Sequence, residues 1–184
     1  MPTVASDPIE FEMPNANSFE GAPQFHEDEW GQLEFFSNSR LAEIQKMLKE
    51  LKSFEAANRT RYGWNDIYAR NITRSPIAEL PVNLSQDLVA PARQAPILTT
   101  SSRPLGQVKN GFSIELGKNA YLYGLQQAGR ITMLGAMLQG ADNMLLSNAF
   151  SNLNKKYGLI LVDWRQQLLL VSVNQNGQFE VWRP

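Results

Sequence analysis

Leu159-Ile160-Leu161-Val162, Leu168-Leu169-Leu170-Val171-Ser172-Val173 and Gln178-Phe179-Glu180-Val181-Trp182 follow one another in the last 28 residues, Tyr157 to Pro184. Asp163-Trp164-Arg165-Gln166-Gln167 separates the first two runs, and Asn174-Gln175-Asn176-Gly177 the last two. An unbroken apolar run marks a strand covered on both faces, whereas alternation marks one with a wet face. The first two runs therefore belong inside a sheet. The third, with Phe179 and Val181 on one side and Glu180 and Trp182 on the other, belongs near an edge. Asn176-Gly177 is a hairpin signal, because a type I′ turn needs φ > 0 at both central positions. The chain is thus expected to close on a three-stranded antiparallel meander.

The rest of the chain is read outward from that meander. Residues 40–57 carry Leu41, Ile44, Leu48, Leu51 and Phe54 at spacings of three and four, behind the N-cap candidates Ser37, Asn38 and Ser39. This is the stripe of an amphipathic helix packed on a sheet. Gln32 to Phe36 reads as a strand with Leu33 and Phe35 on one face. Trp64–Ile72, the edge-strand candidate Ile97–Thr100 and the alternating Phe112–Leu116 add further strands. Between Ala120 and Asn154 only Arg130 and Asp142 are ionised, and Tyr121, Leu122, Leu125, Ile131, Leu134 and Leu138 form a broad apolar face. That pattern predicts two helices meeting near Gly140, with Asp142 or Asn143 as the second N-cap and Lys155, Lys156 and Gly158 closing it. The fold class is α+β: an antiparallel sheet with a C-terminal three-stranded meander, packed by one amphipathic helix and a later apolar helical pair. Residues 1–24 read as an acidic extended arm and residues 25–184 as a single domain. The five prolines of residues 75–106 mark an internal lobe border.

Composition narrows the chemistry. The 184 residues contain no cysteine and one histidine, His26. Disulfides, thiolate metal sites and cysteine nucleophiles are excluded, and no multi-histidine metal site can form. No phosphate-binding glycine loop, nucleophile elbow or dinucleotide fingerprint occurs, so neither cofactor nor metal is expected. No leader with a basic region before an apolar one and no membrane-length apolar run appears, which points to a cytoplasmic protein. Residues 1–34 hold eight acidic and no basic residues, and the remaining 150 hold all 17 basic residues against ten acidic ones. Such asymmetry marks either a charged interaction surface or an acidic arm lying on the protein's own basic body.

Three functional readings follow. Four tryptophans are many for this length, and Glu27-Asp28-Glu29-Trp30 sets an anionic patch beside an aromatic anchor. With Glu34 and Trp64, these residues are the candidate contacts for a protein partner. A second reading is a carboxylate-dependent hydrolase drawing on Asp163, Glu180, Glu115 and Glu34, although their spacing selects no pair. The third is nucleic-acid binding through Arg59, Arg61, Arg70 and Arg74, interleaved with Tyr62, Trp64 and Tyr68. Scattered arginine and tyrosine are equally typical of protein interfaces, which favours the first reading.

His26-Glu27-Asp28-Glu29-Trp30-Gly31-Gln32-Leu33-Glu34-Phe35 resembles the acidic-aromatic opening strand of small bacterial toxin-immunity proteins, the α+β antidotes encoded beside polymorphic or type VI secreted effectors. Gly158-Leu159-Ile160-Leu161-Val162-Asp163-Trp164, ahead of a hairpin, resembles their closing sheet. The resemblance implies a cytosolic, non-catalytic inhibitor that binds a cognate toxin. It carries no individual functional residue over to this chain.

Overall fold

The computed structural model describes residues 3–77, 80–81 and 83–184. Met1 and Pro2 of the arm, and residues 78, 79 and 82 of the proline-rich stretch, lie outside them. An eight-stranded, wholly antiparallel sheet forms the frame. Its strands are β1 (Leu33–Ser37), β2 (Ala92–Arg93), β3 (Gly111–Gly117), β4 (Ala120–Gln127), β5 (Arg130–Leu138), β6 (Leu159–Asp163), β7 (Leu168–Val173) and β8 (Phe179–Trp182). They lie in the order β8-β7-β6-β1-β5-β4-β3-β2. The fold is α+β, and the meander β6-β7-β8 is in place. Strand β6 is buried except for Asp163, β7 is mostly half-buried and β8 is an edge.

Two helices cover opposite faces of the meander half. Helix α1 (Leu41–Asn58) buries Ile44, Met47, Leu48 and Leu51 against Phe36, Ile160, Val162, Trp164 and Leu169. Helix α2 (Asn143–Tyr157) buries Phe150 and Leu153 against Phe35, Leu134, Leu159 and Leu161. Successive residues of a strand point to opposite faces, so Phe35 and Phe36, or Ile160 and Leu161, serve different cores. Helix α2 has its expected ends: the Asp142 side chain accepts from the Met144 N–H, and Gly158 adopts φ 62° beyond Lys155 and Lys156.

The helical pair is half wrong. Residues 120–138 form the hairpin β4-β5, and only the second helix exists. A strand covered on both faces is apolar at nearly every position, so it also satisfies spacings of three and four. The connection is a two-residue turn in which Ala128 (φ 48°) and Gly129 (φ 71°) are both left-handed, the geometry of a type I′ turn. Ala-Gly is not a usual I′ pair, which hid the hairpin. The final turn differs too. Asn176 does not take positive φ; the Asn174 N–H reaches the Gln178 oxygen, and Gly177 (φ 77°) alone is left-handed.

The arm is folded onto the body. Thr3–Ala5 pairs in parallel with Tyr68–Arg70, and Phe11–Glu12 joins a second, four-stranded sheet with Pro104–Val108, Ile97–Thr99 and Gln24–His26. A short helix, Ala16–Gly21, lies between, capped by the Asn15 side chain. Ion pairs Asp7–Arg74 and Glu10–Lys109 tie the acidic segment to basic residues downstream. Ile97–Thr99 is an interior strand of the small sheet, not an edge. Trp64–Ile72 is no continuous strand: Gly63–Trp64 closes a small hairpin with Arg59–Thr60, and only Tyr68–Arg70 resumes pairing. The small sheet packs on β4 and β5 through Phe25, Trp30, Leu98, Val108, Tyr123, Met133 and Met137.

Candidate functional site

The acidic patch is a single 3₁₀ turn, Glu27–Glu29, between Gln24–His26 and β1. Its start is fixed by His26, whose Nδ1 accepts from the Asp28 N–H at 3.1 Å. The turn closes through the Trp30 N–H to the Glu27 oxygen at 3.0 Å. The chain then reverses at Gly31, whose φ of 65° favours a residue without Cβ. Glu27 and Asp28 are exposed and Glu29 is half-buried. The Arg165 guanidinium holds Glu29 by a two-pronged contact, Nη1 to Oε2 at 3.0 Å and Nη2 to Oε1 at 2.7 Å, and also reaches the Asp28 carbonyl at 3.2 Å. Bidentate pairing of this kind fixes orientation as well as charge.

Beneath the turn lies an aromatic stack. Trp30, only 3% exposed, sits with its ring centroid 4.8 Å from Tyr123 and 6.4 Å from Phe25. The Tyr123 hydroxyl accepts from the Gly31 N–H at 2.8 Å and donates to the Glu29 carbonyl at 3.3 Å, clamping the turn from below. Burial pushes its pKa well above the ordinary tyrosine value, so it stays a donor at any physiological pH. The ring has room because Gly135 faces it across the β4-β5 ladder. A Cβ on Gly135 would stand 2.8 Å from Tyr123 Cζ and 3.0 Å from its oxygen. Gly135→Ala is therefore expected to lower stability by about 1–3 kcal/mol through overpacking. It should also speed hydrogen exchange of the Gly31 amide; unchanged exchange there would show that Tyr123 does not clamp the turn.

Glu34 lies one strand position from this floor and is completely buried. Arg74 bridges it to Asp7, with Arg74 Nε donating to Asp7 Oδ2 at 2.6 Å and Nη1 to Glu34. Arg70, also buried, donates to Thr3 Oγ1 at 2.8 Å and to the Gly31 carbonyl at 2.9 Å, with its guanidinium 4.9 Å from the Trp164 ring centroid. Two acids and two bases thus neutralise one another where the arm crosses the large sheet. Burial raises the Glu34 pKa despite the opposing pull of Arg74 and Arg70. Burial lowers Arg70 to about 10.

The six sequence-based contacts therefore separate. Glu27 and Asp28 face solvent together and, with Asp7, Trp30 and Gln32, border a cleft of about 430 Å³ between the arm and the turn. Glu29 is engaged by Arg165. Trp30 and Glu34 are interior: Trp30 supports the turn from below and shows only a sliver of its surface in the wall of that cleft, and Glu34 anchors the arm. Trp64 belongs to the hairpin after α1, under the Arg59 guanidinium at 5.6 Å. Of the supporting residues, Tyr123 and Arg165 are not singled out by the sequence, and Arg70 is read there as a nucleic-acid contact and not as a buried support. Tyr123 fell inside the misassigned helix, and nothing local in the sequence marks a buried arginine.

Most residues of the other two chemistries are engaged elsewhere, although Arg61 and Tyr62 stay exposed, the guanidinium 5.5 Å from the ring centroid. Glu115 pairs with Arg93, Glu180 accepts from the Ser172 hydroxyl at 2.7 Å, and Asp163 accepts from the Gln166 N–H at 2.8 Å. Burial raises Asp163, but it shares no site with the other three, each of which answers to a different partner. Of the four arginines, Arg70 and Arg74 are drawn into the core, and Arg59 pairs with Glu55. Among the described residues no three ligating side chains converge on a metal position. No helix among them is long and apolar enough to cross a membrane.

No family model, curated protein or solved structure matches the chain.

Proposed function

We propose that this chain is a non-catalytic protein-binding module that inhibits a basic toxin in the cytoplasm, in the manner of immunity proteins. The observation that carries the reading is the preorganised acidic turn. Two exposed carboxylates, Glu27 and Asp28, stand on a backbone clamped by Tyr123, Arg70 and Arg165 and backed by the Phe25-Trp30-Tyr123 stack. A rigid anionic rim raises the association rate of a cationic partner and loses little conformational freedom on binding. The adjoining cleft offers apolar wall and acidic edge to the stem and head of a lysine or arginine side chain.

The test is capture from native-cell lysate by wild type beside a Glu27→Lys/Asp28→Lys variant, followed by expression of the captured protein alone and together with this chain. The reading expects one stoichiometric partner that arrests growth alone and is silenced by co-expression. Affinity should fall steeply with salt and drop about a hundredfold in the variant, mainly through slower association. A partner retained equally by the variant would remove the turn from the interface. A partner harmless on its own would remove the inhibitor reading and leave a binding module.

A further inference from the structure

The free edge of the large sheet presents a second surface. Strand β8 ends the strand order, and along it Phe179 is 36% and Val181 50% exposed. Because the Gln178 carbonyl receives the Asn174 N–H, Gln178 faces inward. Backbone direction alternates along a strand, so Glu180 and Trp182 also face β7, while the N–H and C=O groups of Phe179 and Val181 point out of the sheet. An exposed edge is ordinarily blunted by proline, lysine or a bulge. Strand β8 holds neither proline nor lysine and its single charge is Glu180; the one irregularity of its ladder lies on the β7 side, where Val171 is the extra residue between the pairs Leu170–Val181 and Ser172–Glu180, so the alternation along β8 is kept. At the opposite end of the sheet, β2 is only two residues long.

We propose that β8 pairs antiparallel with β8 of a second copy of this chain, about a two-fold axis through Val181. That register places every group acceptably. Val181 meets Val181 of the second copy, and Phe179 meets Arg183, a contact of guanidinium with ring. Both of these are outward-facing pairs, so they supply the backbone hydrogen bonds. Pro184 falls opposite Gln178 at an inward-facing position, where no outward N–H is required. The two-fold axis is perpendicular to the sheet, so each face continues into the same face of the other copy. Phe179 contacts Phe150 of α2, whereas Trp182 lies on the α1 side with Lys49 5.8 Å from its ring centroid. Glu180 of the second copy arrives opposite Trp182, on that α1 side and beside Lys49. No like charges meet, and the one acid of each edge finds the other copy's lysine. This complementarity to itself favours a second copy over an unrelated strand.

The experiment is sedimentation equilibrium of wild type, Val181→Pro, Glu180→Lys and Glu180→Lys/Lys49→Glu, with circular dichroism to confirm that each is folded. Wild type should approach twice its 20.7 kDa mass as concentration rises. Val181→Pro removes an outward N–H only and should leave monomer. Glu180→Lys should weaken the dimer about tenfold, and adding Lys49→Glu should restore it. Amide exchange at Phe179 and Val181 should slow with protein concentration. Wild type that stays at monomer mass up to about 0.5 mM, the affinity range of the weakest specific contacts, overturns the proposal. So does a dimer unaffected by both Val181→Pro and Glu180→Lys.

Discussion

Replacing Arg74 by Ala should cost about 3–5 kcal/mol, because it leaves the buried Glu34 carboxylate without its bridging cation. Asp7 loses its partner in the same step, and the arm loses its link to the large sheet. The loss should depend on pH with a definite sign. In the wild type Glu34 already has a raised folded-state pKa, so the native protein holds its proton more tightly than the unfolded chain does. Stability through this group falls as pH rises from the unfolded glutamate value through the raised folded value. Without Arg74 the folded value climbs further and the window widens upward. The deficit of Arg74→Ala should therefore be larger at pH 8 than at pH 5, since lowering the pH favours the protonated form of the buried carboxyl. Adding Glu34→Gln should recover part of the loss at pH 8 and little at pH 5. Urea denaturation of wild type, Arg74→Ala and Arg74→Ala/Glu34→Gln at both pH values measures this. A deficit independent of pH would mean that the guanidinium acts by packing and not by charge.

This network also shows where sequence reading stops. The meander was legible because β6 and β7 are unbroken apolar runs and β8 alternates, and α1 because its stripe repeats over five positions. Both signals are local. Residues 120–138 defeated the same logic: burial on both faces erases the period that separates strand from helix, and Ala128-Gly129 gives no customary turn signal. The candidate site was half legible. Glu27, Asp28 and Glu29 could be picked out as a charge cluster, and they do form one turn. Trp30 and Glu34 were read as surface partners because exposure was inferred from neighbouring charge. In the folded chain Trp30 follows the turn inward, and Glu34 is drawn into the core by Arg74, forty residues on. An ion pair that depends on two distant segments crossing leaves no local pattern. The same holds for Tyr123, which reaches the turn only because β4 lies beneath it and Gly135 makes room.

Trp30→Ala should be the other large loss, about 3–5 kcal/mol, as for other buried tryptophans truncated to Ala. The indole ring fills the space between Phe25 and Tyr123, and its removal leaves a cavity directly below the acidic turn. Binding of a basic partner should weaken as well, since Glu27 and Asp28 would stand on a loosened backbone. The conservative variant separates support from contact. The indole N–H has no acceptor among the described residues, so Trp30→Phe gives up area and stacking but no hydrogen bond. If Trp30 acts from beneath, Trp30→Phe should melt somewhat lower yet bind its partner within about threefold of wild type, because the charged rim stays in place. If Trp30→Phe bound as poorly as Glu27→Lys/Asp28→Lys while remaining folded, the indole would have to rotate out and meet the partner directly. The turn would then be a hinged gate and not a fixed rim, and its rigidity could no longer account for recognition.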